Sequence, residues 1–179
     1  MEKYTKGFTL IELIFTVIAL SIITAIAIPH FTKFSAKHRV SADIFTIKSL
    51  IETSRGKAIS SNHPIVICGM EHNETKSDIP LSQCTRNWQE INIISLGTNG
   101  NTLIYQELLT DSYSKIQWSA FQRKSYLTFS PAGYTQHQNG TLYLCHKTYA
   151  DLHRAVVINK SGRVTIKKQS TGLIEKCKS

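Results

Sequence analysis

A single carboxylate stands inside a long apolar run: from Phe8 to Ile28 the only ionisable side chain is Glu12. A charge at mid-bilayer costs roughly 2.5–3.5 kcal/mol, and less near the surface. Glu12 must therefore either snorkel to the headgroups or meet an opposite charge, since two opposite charges in low dielectric are tolerable together and costly apart. A second set of chemically able residues lies near the other end: Arg154, Lys160, Arg163, Lys167 and Lys168. In an extended segment over 162–168, Arg163, Thr165 and Lys167 project to one side and Val164, Ile166 and Lys168 to the other. A hairpin over 155–168, turning at Lys160-Ser161-Gly162, would set several of these cations along one edge, a spacing that suits a phosphate backbone. Four cysteines form the third set: Cys68, Cys84, Cys145 and Cys177. All follow the apolar run, and an even number in an exported domain points to two disulfides with three connectivities open. The favoured pairs are Cys68 with Cys84, which closes a polar loop, and Cys145 with Cys177, which pins an otherwise loose tail, each contributing about 3 kcal/mol.

Other chemistry is missing. No Gly-x-Ser-x-Gly, His-Glu-x-x-His or phosphate-cradling glycine loop occurs, which removes the motifs for hydrolase, metalloprotease and nucleotide-binding enzymes. No Cys-x-x-Cys or paired-His spacing supports zinc. His146 and His153 are read as solvated or hydrogen-bonded surface residues, Glu71-His72-Asn73-Glu74 as loop polarity, and Trp88 and Trp118 as core. The expectation is a non-enzyme with no catalytic residue, metal or cofactor.

The elements that must position these residues follow from pattern. Twenty-one residues from Phe8 to Ile28 would span about 31 Å as a helix, one bilayer. The segment is followed by Pro29-His30-Phe31, not by the small residues of a signal-peptide cleavage site, so it is expected to stay in the mature protein. Pro29 should kink the helix without ending it. Beyond it Ile44, Ile47, Ile51 and Ala58 recur at three- and four-residue steps, which extends the helix to Ser60 as an amphipathic half needing a packing partner. Ser61-Asn62-His63-Pro64 breaks it. Short β-rich runs follow at 65–68, 89–96, 103–106, 116–120, 126–129, 141–145, 155–159 and 163–167, with tight turns expected at Asn99-Gly100 and Asn139-Gly140 and an exposed loop over 69–87.

About 120 residues beyond the helix suffice for one modest core. The formal net charge is +9, and its distribution is uneven. Residues 8–112 hold eight bases and nine acids, whereas residues 113–179 hold eleven bases against Asp151 and Glu175 alone. Such asymmetry points to an anionic partner, with solubility as the plain alternative.

Lys6-Gly7-Phe8-Thr9-Leu10-Ile11-Glu12, ahead of the uninterrupted apolar run, resembles the class III signal of type IV pilins and type II secretion pseudopilins. The resemblance implies cleavage by a prepilin peptidase after Gly7 and N-methylation of Phe8. It also implies that Glu12 pairs with the terminal amine of a neighbouring subunit. Arg55-Gly56-Lys57-Ala58-Ile59, Pro64-Ile65-Val66-Ile67-Cys68, Phe129-Ser130-Pro131-Ala132-Gly133 and Ser161-Gly162-Arg163-Val164 resemble the globular domain shared by H-type pseudopilins and the FimT and FimU minor pilins. In the FimT branch a Gly-Arg-x-Arg motif is implicated in DNA binding during natural transformation. This chain keeps Gly162 and Arg163 but has Thr165 in place of the second Arg, with Lys167 and Lys168 able to replace its charge but not its bidentate geometry.

The expected fold is α+β, a long kinked N-terminal helix packed on an antiparallel sheet. The expected divisions are a leader over 1–7, a transmembrane half over 8–28, an amphipathic half over 29–60 and a β-rich domain over 61–179. The expected protein is a bacterial inner-membrane subunit with a periplasmic domain, drawn into a filament with other pilins. Double-stranded DNA is the expected partner of its basic face. The alternatives are an H-type pseudopilin or FimU-like subunit that primes assembly without DNA, a charged edge that only resists aggregation, or a face for an acidic protein partner.

Overall fold

The computed structural model describes residues 7–70, 78–98, 100–168 and 170–178. The remainder of the leader, Glu71-His72-Asn73-Glu74 and Asn99 lie outside them. The chain forms two compact units, Met1–His38 and Arg39–Ser179, and helix α1 (Leu10–Ser61) contributes to both.

In the first unit, Thr9 caps the helix: its carbonyl accepts the Leu13 N–H at 3.2 Å and its hydroxyl the Glu12 N–H at 3.4 Å. The segment is long and apolar enough to cross a membrane. Its hydroxyls are satisfied within the helix, as a hydrocarbon environment demands: Thr16 donates to the Leu13 carbonyl at 2.8 Å, Ser21 to Ile18 at 2.7 Å and Thr24 to Leu20 at 2.9 Å.

In the second unit α1 buries Val40, Ile44, Ile47, Ile51, Ser54 and Ala58, one stripe at alternating four- and three-residue steps. The strands are β1 (Ile65–Gly69), β2 (Glu90–Gly97), β3 (Gly100–Leu108), β4 (Tyr113–Ala120), β5 (Tyr126–Phe129), β6 (Gly140–His146), β7 (Arg154–Ile158) and β8 (Val164–Lys167). They form two antiparallel sheets, β3-β2-β1-β5 and β4-β6-β7-β8, where one sheet was expected. The second sheet turns Ile116, Trp118, Leu142, Leu144, Val156 and Ile158 into the core, and Trp88 stacks on Trp118 at 4.8 Å between ring centroids. Cys68 is bridged to Cys84 and Cys145 to Cys177.

Two further sequence expectations need correction, and one element was not foreseen. The span 69–87 is not simply an exposed loop: Met70, Ile79 and Cys84 are buried with Val66, Cys68 and Ile94, so the chain folds back over the outer face of the first sheet. Every residue of β1, which lies between β2 and β5, is buried. Asn139-Gly140 is not a hairpin turn, because β5 and β6 belong to different sheets. Gly140 is instead needed for close approach, since a Cβ there would lie 2.8 Å from the Trp118 ring. Finally, the tail forms a second helix, α2 (Thr171–Lys178), whose one buried residue is Leu173.

Candidate assembly segment and basic face

The N-terminal candidates fall together in sequence and structure. Gly7 and Phe8 precede the cap, Glu12 occupies the first turn of α1, and the helix runs on through Pro29. An acidic residue in a first turn also offsets the exposed N–H groups there, so Glu12 stabilises its own helix end whatever else it meets.

At the other end, β7 and β8 pair as the expected hairpin, with Ala155 opposite Lys167 and Ile158 opposite Val164. The turn is closed by Asn159, whose carbonyl accepts the Gly162 N–H at 2.9 Å and whose side-chain Oδ1 accepts the Arg163 N–H at 2.9 Å. Gly162 has φ +77°, a left-handed conformation that a glycine adopts without strain.

β8 is an edge strand, and Arg163, Lys167 and Lys168 are exposed along it. Alternation places Arg163, Thr165 and Lys167 on the outer face, with Arg163 and Lys167 about 13 Å apart along the strand. Lys160 lies in the turn. Arg154 has the opposite parity, and its guanidinium turns back on its own backbone, donating to the carbonyls of Asp151 at 2.9 Å and His153 at 2.8 Å. Lys168, just past β8, shares that parity by continuation of the register. The five cations thus divide: Arg163 and Lys167 share a face, Lys160 flanks them, and Arg154 and Lys168 belong to the other side.

Sequence reasoning missed Lys176. It stands on α2, which the Cys145–Cys177 bridge fastens to β6 on the same outer face. The signal was present in Leu173 and Cys177 at helical spacing behind Ser170 and Thr171.

His146 and His153 are buried, not at the surface as expected. His153 Nδ1 accepts the His146 N–H at 3.0 Å, and His146 Nδ1 accepts the N–H groups of Thr148 and Tyr149, both at 3.1 Å. Burial lowers both imidazoles below their usual range. For His146 the neighbouring His153 adds to the effect and for His153 the Arg154 guanidinium does, while Asp151 opposes it in both. Among the described residues no group of three or more His, Cys, Asp and Glu is placed to hold a metal ion.

The landmark motifs converge on one side chain. Arg55 donates from Nε to the Gly133 carbonyl at 3.0 Å, and a Cβ on Gly162 would lie 2.9 Å from the Arg55 Cδ. Three motifs far apart in the chain therefore fix one junction of helix, β5 loop and β7–β8 turn.

A capped, membrane-length helix leading into an antiparallel β domain defines the pilin-like class. The chain belongs to the family described as Type II transport protein GspH, whose profile matches residues 46–162. The prokaryotic N-terminal methylation motif matches residues 3–28, implying processing by prepilin peptidase and assembly with other pilins. The fold is similar to that of the type IV minor pilin FimU from Pseudomonas aeruginosa in two crystal forms. One has a TM-score of 0.55 at 14% identity, covering 75% of this chain and 92% of that one. The other has a TM-score of 0.51 at 14% identity, covering 71% and 91%. No curated protein sequence matches this chain.

Proposed function

We propose that this pilin-like protein is a minor pilin of a type IV pilus that contacts DNA through its basic C-terminal face during DNA uptake. Its leader over 1–7 would be removed, residues 8–28 would anchor it in the inner membrane, and the β-rich domain would face the periplasm before entry into the filament. Glu12 would meet the N-methylated amine of Phe8 on a neighbour. It is read as a binding and structural subunit, not an enzyme.

The observation that carries the DNA reading is Arg163 and Lys167 on one exposed face of an edge strand, in a third of the chain with eleven bases and two acids. Phosphate contacts need only cations at tolerant spacing. The full chain in detergent micelles should bind duplex DNA with a log–log salt slope of about −0.9 per phosphate contacted. Reversing the charge of Arg163 and Lys167 together should flatten that slope by about two contacts and depress transformation. Unchanged affinity and transformation would end this reading.

A second reading has a specific observation behind it. The family description and Thr165 in place of a second Arg both favour a structural H-type pseudopilin or FimU-like subunit that primes assembly. Loss of secretion with normal DNA uptake in a deletion strain would establish it.

A further inference from the structure

Three stretches far apart in the chain, 53–64, 130–139 and 159–163, meet at the Arg55 junction, and every residue of them is described. None of the three contains an acidic residue, and together they hold Arg55, Lys57, Lys160 and Arg163 with His63 and His137. The acidic residue that precedes them on α1, Glu52, is paired with Lys48 at 3.8 Å. Tyr134 stands exposed in the second stretch. The residue on each side of it is tied to a basic one. The Gly133 carbonyl accepts the Arg55 Nε–H at 3.0 Å, and the Thr135 N–H donates to the Lys160 carbonyl at 3.0 Å. Lys160 and Arg163, at either end of the β7–β8 turn, are both exposed.

The loop that carries Tyr134 is braced in one shape. Ser130 closes it twice: its N–H donates to the Tyr134 carbonyl at 2.9 Å, and its hydroxyl oxygen accepts the Tyr134 N–H at 3.3 Å. Thr135 and Gln138 are buried, and the Gln138 Oε1 accepts the Thr128 N–H at 2.7 Å. Between them Gln136 and His137 take left-handed backbone conformations, with φ +45° and +66°. Such conformations are costly for a residue with a side chain and persist only where the surroundings impose them. A loop serving solubility alone would need neither that strain nor an aromatic ring held in water.

We propose that Tyr134 stacks on an unpaired base of a DNA strand whose flanking phosphates lie on Lys160 and Arg163. The inference rests on the DNA reading, adds an aromatic residue to its cations and narrows the form of DNA that is held. A base inside a duplex has both faces covered by its neighbours, so a duplex offers this end of the domain only phosphates. A single strand offers a phosphate and an aromatic face together, and every base has such a face, so the contact tolerates any sequence. The tyrosine ring turns on only two torsions and its backbone is already fixed by the loop, so little ordering remains to oppose binding.

The test uses the full chain in detergent micelles with a fluorescent oligothymidylate, an abasic strand of the same length and a duplex of equal length. Tyr134→Ala should weaken oligothymidylate binding by about fivefold or more, the lower end of what one stacked base contributes, and leave duplex binding within about twofold. Tyr134→Phe, which keeps the ring, should bind the oligothymidylate as wild type does. The abasic strand should bind wild type and Tyr134→Ala alike, because neither complex then contains the stack. Lys160→Glu should weaken all three, as the loss of a phosphate contact does. Tyr134 and Lys160 are exposed, so the thermal midpoints of these variants should match that of wild type. Tyr134→Ala weakening neither form, or weakening duplex and single strand alike, overturns the stacking site and leaves the DNA reading standing. Wild type binding neither form overturns both.

Discussion

His146 and His153 show how two buried side chains can set a pH response. Each Nδ1 accepts a backbone N–H, which only an imidazole unprotonated at that nitrogen can do. Tyr113 and Tyr149 pack their rings on His146, and Asp151 and Arg154 supply the opposing charges. The Tyr113 phenol is itself pushed up by burial and by the Asp43 carboxylate, so it carries no charge near neutrality. Because both histidines are depressed from the ordinary value of 6.5, the fold binds fewer protons than the unfolded chain as pH falls. Their stabilisation is fully present above that value and is lost as pH drops through the lowered ones. The thermal midpoint should be level above about pH 7 and decline below about pH 6. His153→Leu should lower stability by about 1–3 kcal/mol at neutral pH, because the His146 N–H loses its acceptor, and should make the decline shallower. A wild-type midpoint that is flat across this range, measured by calorimetry, would contradict the assignment.

At the scale of elements, two glycines have opposite roles although the sequence writes them alike. Gly56 lies on the exposed side of α1 with open space around it, so Gly56→Ala should stabilise by about 0.5–1 kcal/mol through helix propensity. Gly162 sits at positive φ, with a would-be Cβ 2.8 Å from the Phe129 ring and 2.9 Å from Arg55, so Gly162→Ala should destabilise by about 1–3 kcal/mol. Urea midpoints of the two variants should move in opposite directions. A common direction would mean that the junction around Arg55 is looser than described. The same junction explains why the stretches around Arg55, Gly133 and Gly162 carry the family likeness: they are distant in sequence and touch in space.

For the molecule as a whole, the proposed division of labour between its ends bears on assembly. The apolar segment is long and apolar enough to cross a bilayer, whereas a charged Glu12 opposes insertion, so the proposed pairing with a neighbouring amine would follow it. Glu12→Gln should leave membrane anchoring intact or firmer and reduce incorporation into sheared filaments by at least about tenfold. Tenfold corresponds to losing about 1.4 kcal/mol, a modest share of a charge pair in low dielectric. Quantifying the protein in membrane and filament fractions checks it, and normal incorporation of the variant would refute the pairing.

Apolar periodicity located α1, and short β-rich runs between turn residues located the eight described strands, because a buried stripe and a run of β-forming residues are local properties of the chain, whereas α2 was not foreseen. The methylation motif and the separation of cations into the last third were likewise legible as linear order. What the linear order could not decide was which surfaces meet. The two-sheet arrangement, the cover formed by Met70, Ile79 and Cys84, the burial of the histidine pair and the placing of Lys176 beside Lys167 all depend on contacts between segments far apart. Such contacts follow from the three-dimensional filling of one core and from a bridge that joins residues 32 positions apart, and neither leaves a period in the chain.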